Sequence, residues 1–223
     1  MHIGLIGGIG PAATDFYYRR LIRTFAQRQT PLDLTIVHAD APTLLHNLAH
    51  NAVEAQVALY LKLTKRLAAA GAECVAITSI AGHFPIEAFK PRSPLPVLDL
   101  ILEVKRAIAA QGLERIGILG TRTVMETKLY GALPTAEIIL PQGLDLYEVH
   151  EAYVTMAASG VVTPDQRATF IRAGQTLQQD HGAQAIMLGG TDLALVFNDD
   201  NAPFPIIDCA AIHADAIAAV CLA

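Results

Sequence analysis

The chain has 223 residues, of which 52% are hydrophobic and 17% are charged. This composition excludes an intrinsically disordered or low-complexity chain and predicts one large globular domain or two compact ones. The formal net charge is -5 and no long run of Lys and Arg occurs, so the sequence predicts no nucleic-acid partner.

No segment of the sequence predicts export or insertion into a membrane. The amino terminus runs into a strand-like segment without a basic region or cleavage site, and the apolar runs are too short to span a bilayer. The three cysteines, Cys74, Cys209 and Cys221, are odd in number and lack C-x-x-C spacing, which argues against a disulfide framework or a zinc ribbon. A cytoplasmic protein is expected.

Short apolar runs alternate with amphipathic stretches along the whole chain, a pattern typical of βα units that build a parallel sheet. Thr163 followed by Pro164 predicts a capped helix start, and Gly71 predicts a helix stop. The predicted strands are 2–6, 34–39, 74–79, 115–119, 136–140, 185–189 and 205–207. The predicted helices are 11–28, 50–70, 99–110, 123–132, 145–157, 164–180 and 210–221.

A weak internal repeat predicts two similar lobes. His-Ile-Gly-Leu-Ile-Gly-Gly begins at His2, and Arg-Ile-Gly-Ile-Leu-Gly-Thr begins at Arg115. We therefore expect two pseudo-symmetric, doubly wound α/β lobes with parallel sheets, one formed by 1–95 plus 205–223 and the other by 96–204. Ligands of open parallel sheets bind at the carboxyl ends of the strands, so a site is expected in a cleft between the lobes.

The first predicted strand ends in a glycine-rich turn, Gly7-Gly8-Ile9-Gly10-Pro11, that leads into a helix carrying Thr14. Glycines let backbone amides approach an anion, and a helix start adds partial positive charge. The turn lacks the third glycine of a dinucleotide site and the Lys of a phosphate loop, so it favours a small carboxylate over a nucleotide. A tight βα turn without any ligand is the alternative.

The second strand ends in His38, Asp40 and Thr43, which would reach the same sheet edge. Asp and Thr in such a place more often cap a helix or form a turn than take part in catalysis. His46 and His50 are the only pair nearby with ligand-like spacing, and no metal site is expected.

Taken in order, several motifs resemble the aspartate/glutamate racemase family over nearly the whole chain. They are Gly-Leu-Ile-Gly-Gly-Ile-Gly-Pro-Ala-Ala-Thr at 4–14, Leu-Gly-Thr-Arg at 119–122, Leu-Gly-Gly-Thr-Asp-Leu at 188–193 and Pro-Ile-Ile-Asp at 205–208. The resemblance implies a pyridoxal-independent protein without a cofactor, two pseudo-symmetric lobes, a small amino-acid or carboxylate ligand and a homodimer.

Family members invert a carbon centre with two thiols, one on each side of the α-carbon. The family's Cys-Asn-Thr-Ala-His motif corresponds here to 79–83 and its Gly-Cys-Thr-Glu motif to 189–192, so Ser79 and Gly190 replace the two thiols. Cys74 begins its strand about 16 Å from Ser79, at about 3.3 Å per residue. The three cysteines of this chain are therefore expected in the core, and ordinary two-thiol racemisation is not expected.

The resemblance also implies a less polar ligand site than in the family, because Ile80, Ala81 and Val124 replace polar residues. Backbone amides near Gly8 and the hydroxyl of Thr191 would still hold one carboxylate. The residues expected to contact the ligand are Gly8, Gly10, Thr14, Asp40, Ile80, Ala81, Gly82, Thr121, Val124, Gly190 and Thr191.

Two functions remain open from the sequence. In the first, the chain is a diverged isomerase, lyase or decarboxylase in which Ser79, His83 and Asp192 are the candidate catalytic residues, with His83 as a base for Ser79. In the second, it binds a ligand and catalyses nothing, and His83 caps a helix or packs in the core.

Overall fold

Two four-stranded parallel sheets, flanked by helices, form the protein in a computed structural model that describes residues 1–198 and 200–222. The first sheet contains β1 (Ile3–Gly7), β2 (Leu34–His38), β3 (Cys74–Ile77) and β4 (Val97–Leu98). The second contains β5 (Arg115–Gly120), β6 (Glu137–Ile139), β7 (Ala185–Gly189) and β8 (Ile206–Ile207). The strand orders β2-β1-β3-β4 and β6-β5-β7-β8 follow the same pattern, which confirms the predicted α/β class and internal repeat.

Nine helices lie within the described residues, and the long ones match the predicted segments closely. They are α1 (Pro11–Gln27), α2 (Ala41–Ala49), α3 (Val53–Ala69), α4 (Ile86–Phe89), α5 (Leu100–Gln111), α6 (Arg122–Glu126), α7 (Gly143–Ser159), α8 (Pro164–Gln179) and α9 (Cys209–Leu222). Short 3₁₀ turns also lie at Ala81–His83, Lys90–Arg92 and Thr191–Leu195. No helix in the described part of the chain is long and apolar enough to cross a membrane.

The chain divides into two compact units. The first contains Met1–Leu100 with α9 from Ala210 onward, and the second contains Ile101–Cys209. These limits differ from the expected boundaries at both ends. The two-residue strand β4 pairs with β3, and β8 pairs with β7, so β8 belongs to the second sheet and only the last helix returns to the first unit.

Side chains of β1 alternate between two cores, as the twofold repeat of a strand requires. Ile6 packs with Val57 and Tyr60 of α3 on one face of the first sheet. Ile3 and Leu5 pack on the other face, against residues of α1 and α9. Burial on both faces explains why the strands are short continuous apolar runs in the sequence.

The predicted helix 123–132 is wrong in its second half. The helix α6 ends at Glu126, and the chain then takes positive φ angles of 51°, 56°, 57° and 68° at Lys128, Leu129, Tyr130 and Gly131. Positive φ costs about 1–2 kcal/mol for each non-glycine residue. Leu129 is nonetheless fully buried, so tertiary packing outweighs the local preference of this segment.

Candidate functional site

Parallel pairing brings the carboxyl ends of the first three strands to one edge of the first sheet. Gly7 of β1 lies beside His38 of β2. The amide of Thr78, just after β3, donates to the carbonyl of Ile6 over 3.1 Å. The glycine-rich turn, the residues after β2 and the residues after β3 therefore share this edge.

The glycine-rich turn is held by Thr14. The amide of Gly8 donates to Thr14 Oγ1 over 2.8 Å, and that hydroxyl lies 3.1 Å from the carbonyl of Gly10. Gly8 has a φ of +92°, and a Cβ there would meet His38 Nδ1 at 2.2 Å. Thr14 and Gly8 thus shape the turn, and the Gly8 amide already has an acceptor.

Other amides of the same turn face no acceptor. Among the described residues, none accepts a hydrogen bond from the amides of Ile9, Gly10 or Ala12, and α1 has no side-chain cap. Gly10 is buried, where an amide without a partner is rare. Together with the partial positive charge at the start of a 17-residue helix, these donors make the turn suited to an anion.

Asp40 caps helix α2. Its carboxylate accepts from the Thr43 amide over 2.9 Å and from the Thr43 hydroxyl over 2.6 Å. These hydrogen bonds hold the pKa of the exposed Asp40 carboxyl below its usual value. The arrangement is a helix cap, one of the two roles considered for this residue.

After β3, Ser79 and Ile80 lead into the 3₁₀ turn Ala81–His83. Ser79 Oγ accepts from the Gly82 amide over 3.2 Å, and the serine is 6% exposed. Ile80 is fully buried, and the carbonyl of Gly82 accepts from the hydroxyl of Tyr60 over 2.9 Å. The backbone of this turn is therefore fixed from the core side.

Backbone groups occupy both ring nitrogens of His83. Nδ1 lies 2.6 Å from the carbonyl oxygen of Ser79, and Nε2 accepts from the amide of Leu100 over 3.3 Å. A carbonyl only accepts, so the proton of the neutral ring is on Nδ1. Burial lowers the pKa of His83. The ring joins this turn to the start of α5 and holds no nitrogen ready to take a proton from Ser79 Oγ.

In the second unit, Thr121 caps α6 at the end of β5. Its hydroxyl accepts from the amide of Val124 over 3.4 Å, and Val124 is fully buried. His150 of α7, which the sequence did not single out, accepts from the amide of Arg122 through Nδ1 over 3.1 Å. No local signal marked this contact, because the two residues are 28 positions apart.

The end of β7 brings Gly190, Thr191 and Asp192 together with Tyr153 of α7. Thr191 and Asp192 are buried, and the Tyr153 hydroxyl donates to Asp192 Oδ2 over 3.1 Å. A Cβ on Gly190 would lie only 2.2 Å from Tyr153 Cε2. Burial, followed by the nearby Asp192 carboxylate, raises the pKa of the Tyr153 phenol well above its usual value. Tyr153 was missed by the sequence reasoning.

The three cysteines occupy positions other than 79 and 190. Cys74 begins β3, and Cys209 and Cys221 belong to the first and last turns of α9. Cys209 is fully buried, and burial raises the pKa of its thiol. Within the described part of the chain, no group of three or more histidine, cysteine, aspartate or glutamate side chains is placed to share a metal ion.

Several proteins of known structure share this fold. The structure resembles a candidate Asp/Glu racemase from Yersinia pestis, with 26% identity, a TM-score of 0.84 and full coverage of both chains. It also resembles an aspartate racemase homologue from Pyrococcus horikoshii, with 21% identity, a TM-score of 0.81 and coverage of 100% of this chain and 99% of that chain.

A more distant likeness is to a glutamate racemase from Francisella tularensis, solved in complex with D-glutamate. It is 15% identical, with a TM-score of 0.68 and coverage of 99% of this chain and 81% of that chain. The sequence profile of the Asp/Glu/hydantoin racemase family matches residues 6–217, nearly the whole chain. This match confirms the resemblance stated from the motifs: the chain belongs to the Asp/Glu/hydantoin racemase family.

Proposed function

We propose that this chain binds a small carboxylate or amino acid at the carboxyl edge of its first sheet and does not racemise it by the two-thiol route. The uncapped start of α1 carries the binding half of the proposal. The amides of Ile9, Gly10 and Ala12 meet no acceptor within the described residues, and a carboxylate is an anion that accepts from such amides.

The chemical half of the proposal, that the chain does not use the two-thiol route, rests on the positions that correspond to the family's two thiols. Ser79 and Gly190 stand there, and a serine hydroxyl needs a strong neighbouring base before it can take or give a proton near neutral pH. His83 does not serve as that base, because both of its ring nitrogens bind backbone groups. The geometry therefore does not support a diverged enzyme in which His83 acts as the base for Ser79.

Binding and α-proton exchange can be measured together by NMR in heavy water. The panel is a set of L- and D-amino acids and small dicarboxylic acids added to the purified protein. We expect at least one compound to shift the amide resonances of Ile9, Gly10 and Ala12, and no compound to exchange its α-proton. Thr14→Val removes the acceptor of the Gly8 amide and is expected to weaken binding, while Thr14→Ser keeps that acceptor and serves as the matched control.

Two results would contradict the proposal in different ways. If no compound on the panel binds, the binding half fails. If an α-proton exchanges at an enzymic rate, and the exchange is lost in Ser79→Ala, then carbon-acid chemistry operates without thiols and the chemical half fails.

The resemblance extends the proposal to a cytoplasmic homodimer. The three cysteines form no disulfide, as suits a reducing compartment. Light scattering coupled to size-exclusion chromatography is expected to give twice the chain mass of 23.8 kDa, and a single-chain mass would exclude the dimer.

A further inference from the structure

We infer that Tyr153 occupies the place of the missing side chain at position 190 and positions the Asp192 carboxylate at the end of β7. This inference deepens the proposed function and rests on its chemical half, because it says what occupies the space beside position 190. Its geometric basis lies wholly within the second unit.

The phenol ring lies directly against the α-carbon of Gly190. A Cβ built on Gly190 would be 2.2, 2.4 and 2.5 Å from Tyr153 Cε2, Cζ and Oη. Real Cβ contacts are not this short, so even an alanine would force the ring to move. Position 190 can therefore hold only glycine while Tyr153 keeps its present rotamer.

The tyrosine hydroxyl then has a defined partner. Oη donates to Asp192 Oδ2 over 3.1 Å, and both residues are buried. The ring is fixed along one edge by Gly190 and at its tip by Asp192. Any side chain at 190 that displaced the ring would also break the hydrogen bond that orients the carboxylate.

The contact between Tyr153 and Asp192 determines which chemical groups lie at the end of β7. Where the family carries a thiol, this chain presents a neutral phenol held to a carboxylate. Restoring cysteine at 190 would not restore a thiol site, because the tyrosine already fills the space that the cysteine side chain needs.

A double-mutant cycle tests the inference without any knowledge of the ligand. Gly190→Cys is made in the wild-type, Tyr153→Phe and Tyr153→Ala backgrounds, and urea midpoints are compared. We expect Gly190→Cys to lower the midpoint in the first two backgrounds, which keep the ring, and to change it far less in the third. If Tyr153→Ala yields too little folded protein, Tyr153→Leu replaces it. An equal loss in all backgrounds would overturn the inference.

The alkylation rate of the introduced thiol also tests whether Tyr153 fills the space beside position 190. Iodoacetamide should label residue 190 about tenfold faster beside Tyr153→Ala than beside Tyr153→Phe, because reactivity follows access to the thiol. Equal labelling rates would show that the ring does not fill this position.

The positioning role has its own spectroscopic test. In protein labelled with ¹³C at the aspartate carboxyl carbons, Tyr153→Phe should move the Asp192 resonance, and Tyr147→Phe, on the exposed face of the same helix, should not. An unmoved Asp192 resonance would contradict the positioning role. None of these measurements needs a bound ligand, so a failure of the proposed binding function would remain distinguishable.

A separate observation supports a second inference, at the opposite end of the first sheet. We propose that Cys74 and Cys221 form an intramolecular disulfide on mild oxidation. Their Sγ atoms are 4.0 Å apart, with one at the start of β3 and the other in the last turn of α9. A disulfide bond is about 2.05 Å long, so the sulfurs must approach by about 2 Å, and the last turn of a helix is the part that frays most readily.

The chemistry balances with a peroxide as oxidant. The Cys74 thiol loses its proton, its thiolate attacks hydrogen peroxide, and the hydroxide released takes that proton back, which gives a sulfenic acid and water. The Cys221 thiol then attacks that sulfur, and its proton leaves with the hydroxyl group as a second water. Two electrons leave the two sulfurs and reduce one peroxide. Cys74 suits the first step because the hydrogen bond with Cys221 lowers the pKa of its thiol to about 7.

Intact mass and peptide mapping after peroxide treatment test this pair. We expect a loss of about 2 Da and a cross-linked peptide joining Cys74 to Cys221. Cys209→Ser should still form the bond, while Cys74→Ser and Cys221→Ser should not. Two freely alkylated thiols after treatment, or cross-links between chains only, would overturn the proposal.

Discussion

The hydroxyl of Tyr17 lies 2.9 Å from His213 Nδ1 inside the first unit, and the other ring nitrogen of His213 lies 2.9 Å from the carbonyl oxygen of Leu98. The carbonyl fixes the ring proton on Nε2, so the tyrosine donates to Nδ1. His83 lies edge-on to the same ring, with centroids 6.2 Å apart. Two buried imidazoles thus lie in one part of the core, and both nitrogens of each neutral ring have hydrogen-bond partners.

Acidification is expected to destabilise the protein through these histidines. Burial first, and His83 second, lower the pKa of His213 to about 3, and burial also lowers the pKa of His83. The unfolded state binds more protons below about pH 6.5, so the stability is fully present above that pH and is lost as the pH falls toward 3. Between pH 7.5 and 5.5, His213 alone should remove about 1.4 kcal/mol.

Urea unfolding at several pH values between 7.5 and 5.5 measures this loss. This range lies above the usual pKa values of carboxyl groups, so their titration contributes little to the slope. His213→Gln should flatten the slope. A wild-type stability that does not change across this range would contradict the prediction.

Ser79 and His83 should differ sharply in their contribution to stability. Ser79→Ala removes one acceptor, that of the Gly82 amide, and should cost about 1 kcal/mol. His83→Ala leaves the Leu100 amide and the Ser79 carbonyl unpaired and opens a cavity, so it should cost about 3 kcal/mol. Urea unfolding at pH 7.5 compares the two variants. Equal costs would show that His83 does not hold the turn.

The sequence predicted most of the fold because its strands are buried apolar runs and its long helices have local start and stop signals. The start of α8 is an example. Thr163 was predicted as the cap with Pro164 as the first helical residue, and the structure confirms both. Here the whole signal lies within four consecutive residues, so no knowledge of the tertiary structure was needed.

The features that sequence reasoning missed depend on contacts distant in the chain. Tyr153 and Gly190 are 37 positions apart, and nothing near either residue indicates that one fills the space of the other. The positive φ angles around Tyr130 contradict the local helical preference and are set by the burial of Leu129. The motifs located positions 79 and 190 and the residues that stand there, whereas the packing of Tyr153 against Gly190 required the structure.

The predicted cap of α8 offers a simple stability test. Thr163 Oγ1 accepts from the Gln166 amide over 3.2 Å, and Gln166 Oε1 accepts from the Thr163 amide over 2.8 Å. Thr163→Ala should cost about 1 kcal/mol in urea unfolding, while Thr163→Ser keeps the acceptor and should cost less. A cost for Thr163→Ser as large as that for Thr163→Ala would argue that the methyl group, and not the cap, matters here.

Gly8→Ala should lower the free energy of unfolding more than an alanine substitution at a glycine that also has positive φ but has no atoms near its Cβ position. Gly8 and Gly112 both have positive φ, at +92° and +64°, but only Gly8 has atoms in the way. A Cβ on Gly8 would meet His38 Nδ1 at 2.2 Å and the carbonyl of Ala39 at 2.8 Å, and a Cβ on Gly112 would meet nothing within 4 Å. Gly112→Ala therefore reports the backbone cost alone, about 1–2 kcal/mol.

Urea unfolding of Gly8→Ala should show that cost and a further loss from the two contacts. Adding His38→Ala removes the side-chain contact but leaves the carbonyl of Ala39 in place, so it should recover only part of the extra loss. Because the same turn holds the open amides of Ile9 and Gly10, Gly8→Ala should also weaken carboxylate binding, which Gly112→Ala should not affect. The contrary result is that Gly8→Ala and Gly112→Ala lower the free energy of unfolding equally and leave carboxylate binding equally strong. That result would show that position 8 does not need glycine for close packing against the end of β2.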